Sequence, residues 1–106
     1  MPTCEIVTRN DGGRLLGQRY GVDPGLIDAL AKKGWDEKSP KQIAKRVVNA
    51  VSLYDLQQIK DGRLSSTSAS LTMPGSRRIT IPIIVDHEAS PPNLLLDTAA
   101  KIKYHA

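Results

Sequence analysis

Apolar residues recur along this chain in two rhythms. Ile43, Val47 and Val51 return every four residues, with Ala44 and Val48 beside them, while Lys41, Lys45 and Asn49 fall on the opposite side. That is the stripe of an amphipathic helix. Ser39 caps its start, Pro40 suits the first helical position, and Gln42 stands where a capping box requires it. Leu53, Leu56 and Ile59 form a second series that projects away from the first, so one straight rod would bury opposite faces at its two ends. A break between Ala50 and Ser52 removes the conflict. Ser52 with Asp55 then caps a second helix, and Lys60-Asp61-Gly62 stops it. Residues 39–63 are therefore expected to be two short helices meeting at a corner, a helix-turn-helix arrangement.

The other rhythm has a period of two. Ile79, Ile81, Ile83 and Val85 alternate with Arg78, Thr80 and Pro82, the pattern of a strand with one buried face. Pro82 has no N–H to give to a ladder, which predicts an edge strand or a bulge there. Leu71 and Met73 alternate with Ser70 and Thr72, and Pro74-Gly75-Ser76 makes the turn between the two strands. Residues 64–70 read as a loop entering the first of them. Near the N-terminus, residues 3–8 (TCEIVT) and 14–20 flank the turn residues Asn10-Asp11-Gly12-Gly13 and predict another hairpin. Gly17 in its return strand predicts irregular pairing.

Asp23-Pro24 opens a helix with buried Ile27, Leu30 and Ala31 and with Leu26 at the stripe's edge, and Gly34 ends it. Lys32 and Lys33 complement its dipole. Trp35 follows as the one large aromatic anchor for a core of Leu, Ile, Val and Ala. Ser90-Pro91, then Leu94, Leu95, Thr98, Ala99 and Ile102 at helical spacing, predict a last helix over 91–103. The fold class expected is α+β. It is one domain over residues 1–106, with an N-terminal β-hairpin, three helices including the helix-turn-helix corner, a second β-hairpin and a C-terminal helix.

With 106 residues the chain can bury a core without disulfides or metal. Its single cysteine, Cys4, the missing signal-peptide pattern and the lack of a long apolar run predict a cytoplasmic protein without a membrane partner. Fifteen Lys and Arg against eleven Asp and Glu give +4, a mild bias compatible with a polyanion partner.

Chemistry is thinly represented. The glycines at 12, 13, 17 and 21 lack the Lys-Ser or Lys-Thr pair of a phosphate loop. Cys4 reads as a small buried strand residue. Nothing in the spacing brings it to His87 or to His105, the penultimate residue, which is expected to be mobile. Asp86, His87 and Glu88 are consecutive, so their side chains diverge. No catalytic residue, metal site or cofactor is predicted.

What remains is the order of elements. A helix, two capped helices and a strand–turn–strand with Arg77 and Arg78 at its tip resemble, over residues 23–86, the winged-helix class of helix-turn-helix domains. The resemblance is one of arrangement. It implies a DNA-binding regulator whose second helix enters the major groove and whose hairpin tip approaches the backbone. On this chain it makes Tyr54, Gln57, Gln58 and Lys60 candidates for base or phosphate contact. Lys41, Lys45, Arg63, Arg77 and Arg78 become backbone contacts. The competing expectation is a protein-binding adaptor, inhibitor or small subunit of an assembly, pairing through an edge strand or forming a homodimer through exposed Leu or Ile surface.

Overall fold

Each helix begins where a side chain is placed to satisfy its first N–H groups. The computed structural model describes residues 4–11 and 14–105. Asp23 Oδ2 accepts from Gly25 N at 2.9 Å and opens α1 (Pro24–Leu30). Gln42 N donates to Ser39 Oγ and Ser39 N donates to Gln42 Oε1, a complete capping box on α2 (Pro40–Ala50). Asp55 N donates to Ser52 Oγ at 3.1 Å and opens α3 (Leu53–Lys60). Val51 between α2 and α3 is extended, so the chain turns a sharp corner just before Ser52. The turn lets Leu56 and Ile59 enter the same core as Ile43, Ala44, Val47, Val48 and Val51. Leu53, placed in that series by its spacing, leans outward at the corner and stays exposed, whereas Leu26 is fully buried.

The strands form one mixed, curled sheet resembling half a barrel. β1 (Glu5–Asp11) pairs antiparallel with β2 (Arg14–Val22), and β3 (Ser66–Met73) pairs antiparallel with β4 (Arg77–Asp86). Register slips between Arg9 and Asp11, opposite residues 15–17, which is the irregularity expected at Gly17. The Gly12–Gly13 turn, and Thr3 at the head of the first expected strand, lie outside the described residues. Residue 4 precedes β1, and Cys4 is exposed rather than buried.

The C-terminal segment corrects the expectation most. There is no helix over 91–103. Asn93–Leu96 is a strand, β5, parallel to β2 and antiparallel to β4, and Lys103–His105 is a short strand, β6, antiparallel to β4. β5 therefore joins the two hairpins into the order β1-β2-β5-β4-β3. Leu94 is completely buried between Val22 and Val85, while Leu95 and Leu96 are half-buried. A strand meets the backbone needs of both neighbours, and that gain outweighs the helical spacing of the leucines. His105, expected to be mobile, is held in β6 with Nε2 2.7 Å from Thr80 Oγ1.

β4 is also not an edge. Asp97 N donates to the Pro82 carbonyl at 3.0 Å, so that carbonyl faces the β5 side. In a strand a residue's N and C=O point the same way. The missing N–H of Pro82 thus faces the gap between β6, which ends opposite Thr80, and β5, which begins opposite Ile83. No ladder bond is lost there.

α2 lies across the opening of the half-barrel and packs against both edge strands, β1 and β3. Arg9 of β1 fastens it, with Nη1 donating to the carbonyls of Val48 at 2.9 Å and Val51 at 2.6 Å. Both carbonyls lie at the helix's C-terminal end, where positive charge is favoured, and Val48 O also accepts from Val51 N at 3.3 Å. Charge-assisted bonds of this kind contribute about 1.5–3 kcal/mol. Arg9→Ala is expected to lower stability by about 2 kcal/mol in urea unfolding, with the loss spread over α2 and the corner.

Tyr20 of β2 ties the sheet to α3: its buried hydroxyl donates to the Leu56 carbonyl at 3.0 Å. Burial raises its pKa above the ordinary 10.0; Arg9 pulls it down and Asp61 pushes it up. Folded and unfolded chains both keep the proton below pH 10.0, so this contribution is whole there. As pH rises beyond that value the unfolded chain releases the proton first, and stability falls until the folded hydroxyl also ionises. Tyr20→Phe is expected to cost about 1 kcal/mol at neutral pH and to flatten the decline in Tm above pH 10. An unchanged alkaline slope in the variant would assign the decline to other groups.

Candidate nucleic-acid interface

The polar face of α2 is exposed and forms one wall of an open groove. Gln42, Lys45, Arg46 and Asn49 line a groove of about 580 Å3 whose far wall is Ser70 and Thr72 of β3. Lys38 closes one end, and buried Trp35 and Leu71 lie beneath. The Trp35 ring gathers two cations: Lys38 Nζ stands 5.9 Å and the Arg46 guanidinium carbon 5.7 Å from its centroid. Each of these cation–ring interactions is worth about 0.5–1 kcal/mol. Together they fix two like charges near one another, and an anion between them relieves that repulsion. Among the described residues no carboxylate lines the groove.

A second depression, of about 280 Å3, adjoins it and shares Trp35, Lys38, Arg46 and Thr72. Pro74 lines it, and among the described residues Glu37 is its one acidic residue. Pro74 reaches this place because residues 31–35 continue α1 as a wide turn with Gly34 at φ 137°. A side chain rarely adopts that conformation, and Pro74 Cδ would lie 3.3 Å from a Cβ there. A third depression, of about 350 Å3, shares Met73 and is bordered by Lys32, Lys33 and Arg77. The three together make a basic belt around the β3–β4 turn. Among the described residues the one ion pair is Lys32 with Asp28, at 3.5 Å between largely exposed side chains, a pairing worth little.

The expected site residues divide among three places. Lys45 lines the groove, Lys41 is exposed on the same helix, and Arg77 borders the third depression. Arg78 points to the other face of the hairpin, opposite His105 of β6. Tyr54, Gln57, Lys60 and Arg63 are exposed, and Gln58 half-buried, on and just after α3. That helix lies at the base of the hairpin, where Thr67 Oγ1 donates to Asp55 Oδ2 at 2.8 Å. β3 carries the chain ~23 Å from there to the turn. α3 and the basic tip, expected to lie side by side on one duplex, are thus separated by the length of a strand, whereas α2 lies beside the tip.

Lys32, Lys33, Lys38 and Arg46 were not expected at the site. A signal existed for one of them: Gln42, Arg46 and Asn49 are spaced by four and three, which is one stripe along a helix, whereas Lys38 stands before the cap of α2. Lys32 and Lys33, in the wide turn after α1, carried no such signal, because only packing of the hairpin turn onto Gly34 brings them near.

The remaining candidates for chemistry stay apart. His87 Nε2 donates to the Leu64 carbonyl at 2.8 Å, and Glu88 N donates to Asp86 Oδ1 at 2.9 Å. Among the described residues no three His, Cys, Asp or Glu cluster as metal ligands, and no helix is long and apolar enough to cross a membrane. No protein-family model matches the chain, and comparisons with curated proteins and with solved structures also returned no match.

Proposed function

We propose that this protein is a small nucleic-acid-binding module that grips the phosphate backbone of duplex DNA along the basic belt. The observation that carries the reading is the convergence of Lys38, Lys45 and Arg46 in a groove without a carboxylate among the described residues, continued by Lys32, Lys33 and Arg77 around the β3–β4 turn. Phosphates supply what these side chains lack, and release of counterions drives the association. The belt reading shifts the binding surface away from the winged-helix assignment. There α3 would read bases while the tip touched the same duplex; here Asp55 lies in the first turn of α3 and Asp61 at its C-terminal end, and the tip is a strand's length away.

Protein binding through an edge strand is less favoured by this geometry. α2 lies against both edges, and a covering helix is one way edges are kept from pairing with other chains.

Fluorescence anisotropy with a short labelled duplex, read between about 50 and 200 mM salt, tests the proposal. Neutralising about five phosphates predicts a slope of roughly −4.5 in log affinity against log salt. Absence of binding at the lower salt removes the reading. Tyr54→Ala with Gln57→Ala is expected to leave affinity within about twofold. A selective loss for one duplex sequence would instead return α3 to the major groove.

A further inference from the structure

The third depression differs from the rest of the belt in having an exposed aromatic wall. Tyr104 of β6 pairs with Ile79 of β4, so both side chains leave the same face of the sheet. Ile79 and Met73 are buried and form an apolar floor. Tyr104 itself is 64% exposed. Lys33 Nζ hydrogen-bonds the tyrosine hydroxyl and lies 5.0 Å from the ring centroid. An ammonium in reach of the hydroxyl and that far from the centroid lies out along the C–O axis, near the ring plane. The interaction therefore holds the ring by its tip and does not cover its face. A tyrosine anchored through its backbone pairing and its hydroxyl, with a free face beside three cations, is a preformed stacking platform with phosphate partners.

We infer that this depression takes one unpaired nucleotide of a strand whose duplex portion lies on the belt. Its base stacks on Tyr104 and its phosphate lies among Lys32, Lys33 and Arg77. The inference rests on the nucleic-acid reading above and adds a preference for junctions between duplex and single strand. Base stacking on an aromatic side chain is tolerant of sequence and is worth on the order of tenfold in affinity per base.

The test compares three probes by anisotropy: a blunt duplex, the same duplex with a short single-stranded extension, and one whose extension is abasic. The abasic extension has the same phosphates without the bases, so the difference between the last two isolates stacking. The extended duplex is expected to bind about tenfold more tightly than the abasic one. Tyr104→Ala should abolish that difference, with any remaining change in affinity shared equally by the blunt and abasic probes, and Tyr104→Phe should preserve most of it. Equal binding of the base-bearing and abasic probes, with the blunt duplex still bound, overturns the inference and leaves the belt intact. A preference that survives in Tyr104→Ala also overturns it. Failure to bind any probe sinks the belt reading, and this one with it.

Discussion

Leu94→Ala is expected to destabilise the protein by about 3 kcal/mol, the middle of the range for emptying a buried leucine site. Leu94 has no exposed surface, and it sits in β5 between Val22 on one side and Val85 on the other. β5 is the strand that joins the N-terminal hairpin to β4, so the cavity opens at the seam of the sheet, where neither hairpin can collapse into it without losing pairing. For a chain of this length that cost corresponds to a Tm lower by roughly 12–24 °C. Leu95→Ala should cost no more than about 1 kcal/mol, because Leu95 is half-buried on the other face. The contrast separates the two accounts of this segment. A helix over 91–103 would turn both leucines inward; a strand alternates them. Urea unfolding of the two variants decides it, and similar losses would argue against the strand.

The second large effect concerns binding. Lys45→Glu with Arg46→Glu is expected to weaken duplex binding on the order of 100-fold at about 0.1 M salt. Each phosphate left without its cation takes about 0.9 off the salt slope, which near that concentration is roughly eightfold in affinity, and the new carboxylates add repulsion. The slope should fall by about two, a readout that misfolding does not mimic. Both side chains are exposed on the middle of α2, so stability should shift by no more than about 0.5 kcal/mol beyond what the stacking of Arg46 on Trp35 contributed. Arg78→Glu, on the far face of the hairpin, serves as the charge control. An effect of Arg78→Glu as large as that of the double variant would mean that general charge, and not the groove, governs binding.

The capped helices were legible because their signals are local. Ser39 with Gln42, Ser52 with Asp55, and Asp23 with Pro24 each act across one to three residues. The corner followed from two apolar series that one rod could not bury. The alternation of Leu71 and Met73 against that of Ile79, Ile81 and Ile83 fixed the second hairpin in the same way. The C-terminal segment misled because Leu94, Leu95, Thr98, Ala99 and Ile102 satisfy a helical period, while the competing demand came from the unpaired backbone of β2 and β4. Pro82 misled for a related reason: its missing donor is harmless only where two short strands leave a gap between them.

By itself, then, the chain determined its local grammar: where helices start and stop, where it turns, and which side of each element is apolar. Tertiary structure decided what those elements face. It seated β5 between two hairpins remote from each other in sequence, laid the polar stripe of α2 against β3, and turned Arg77 toward Lys32 and Lys33 and Arg78 away from them. Caps and periods depend on residues within a turn of one another. Sheet order and the gathering of charge depend on interactions that form only once the distant parts of the chain have closed on a common core.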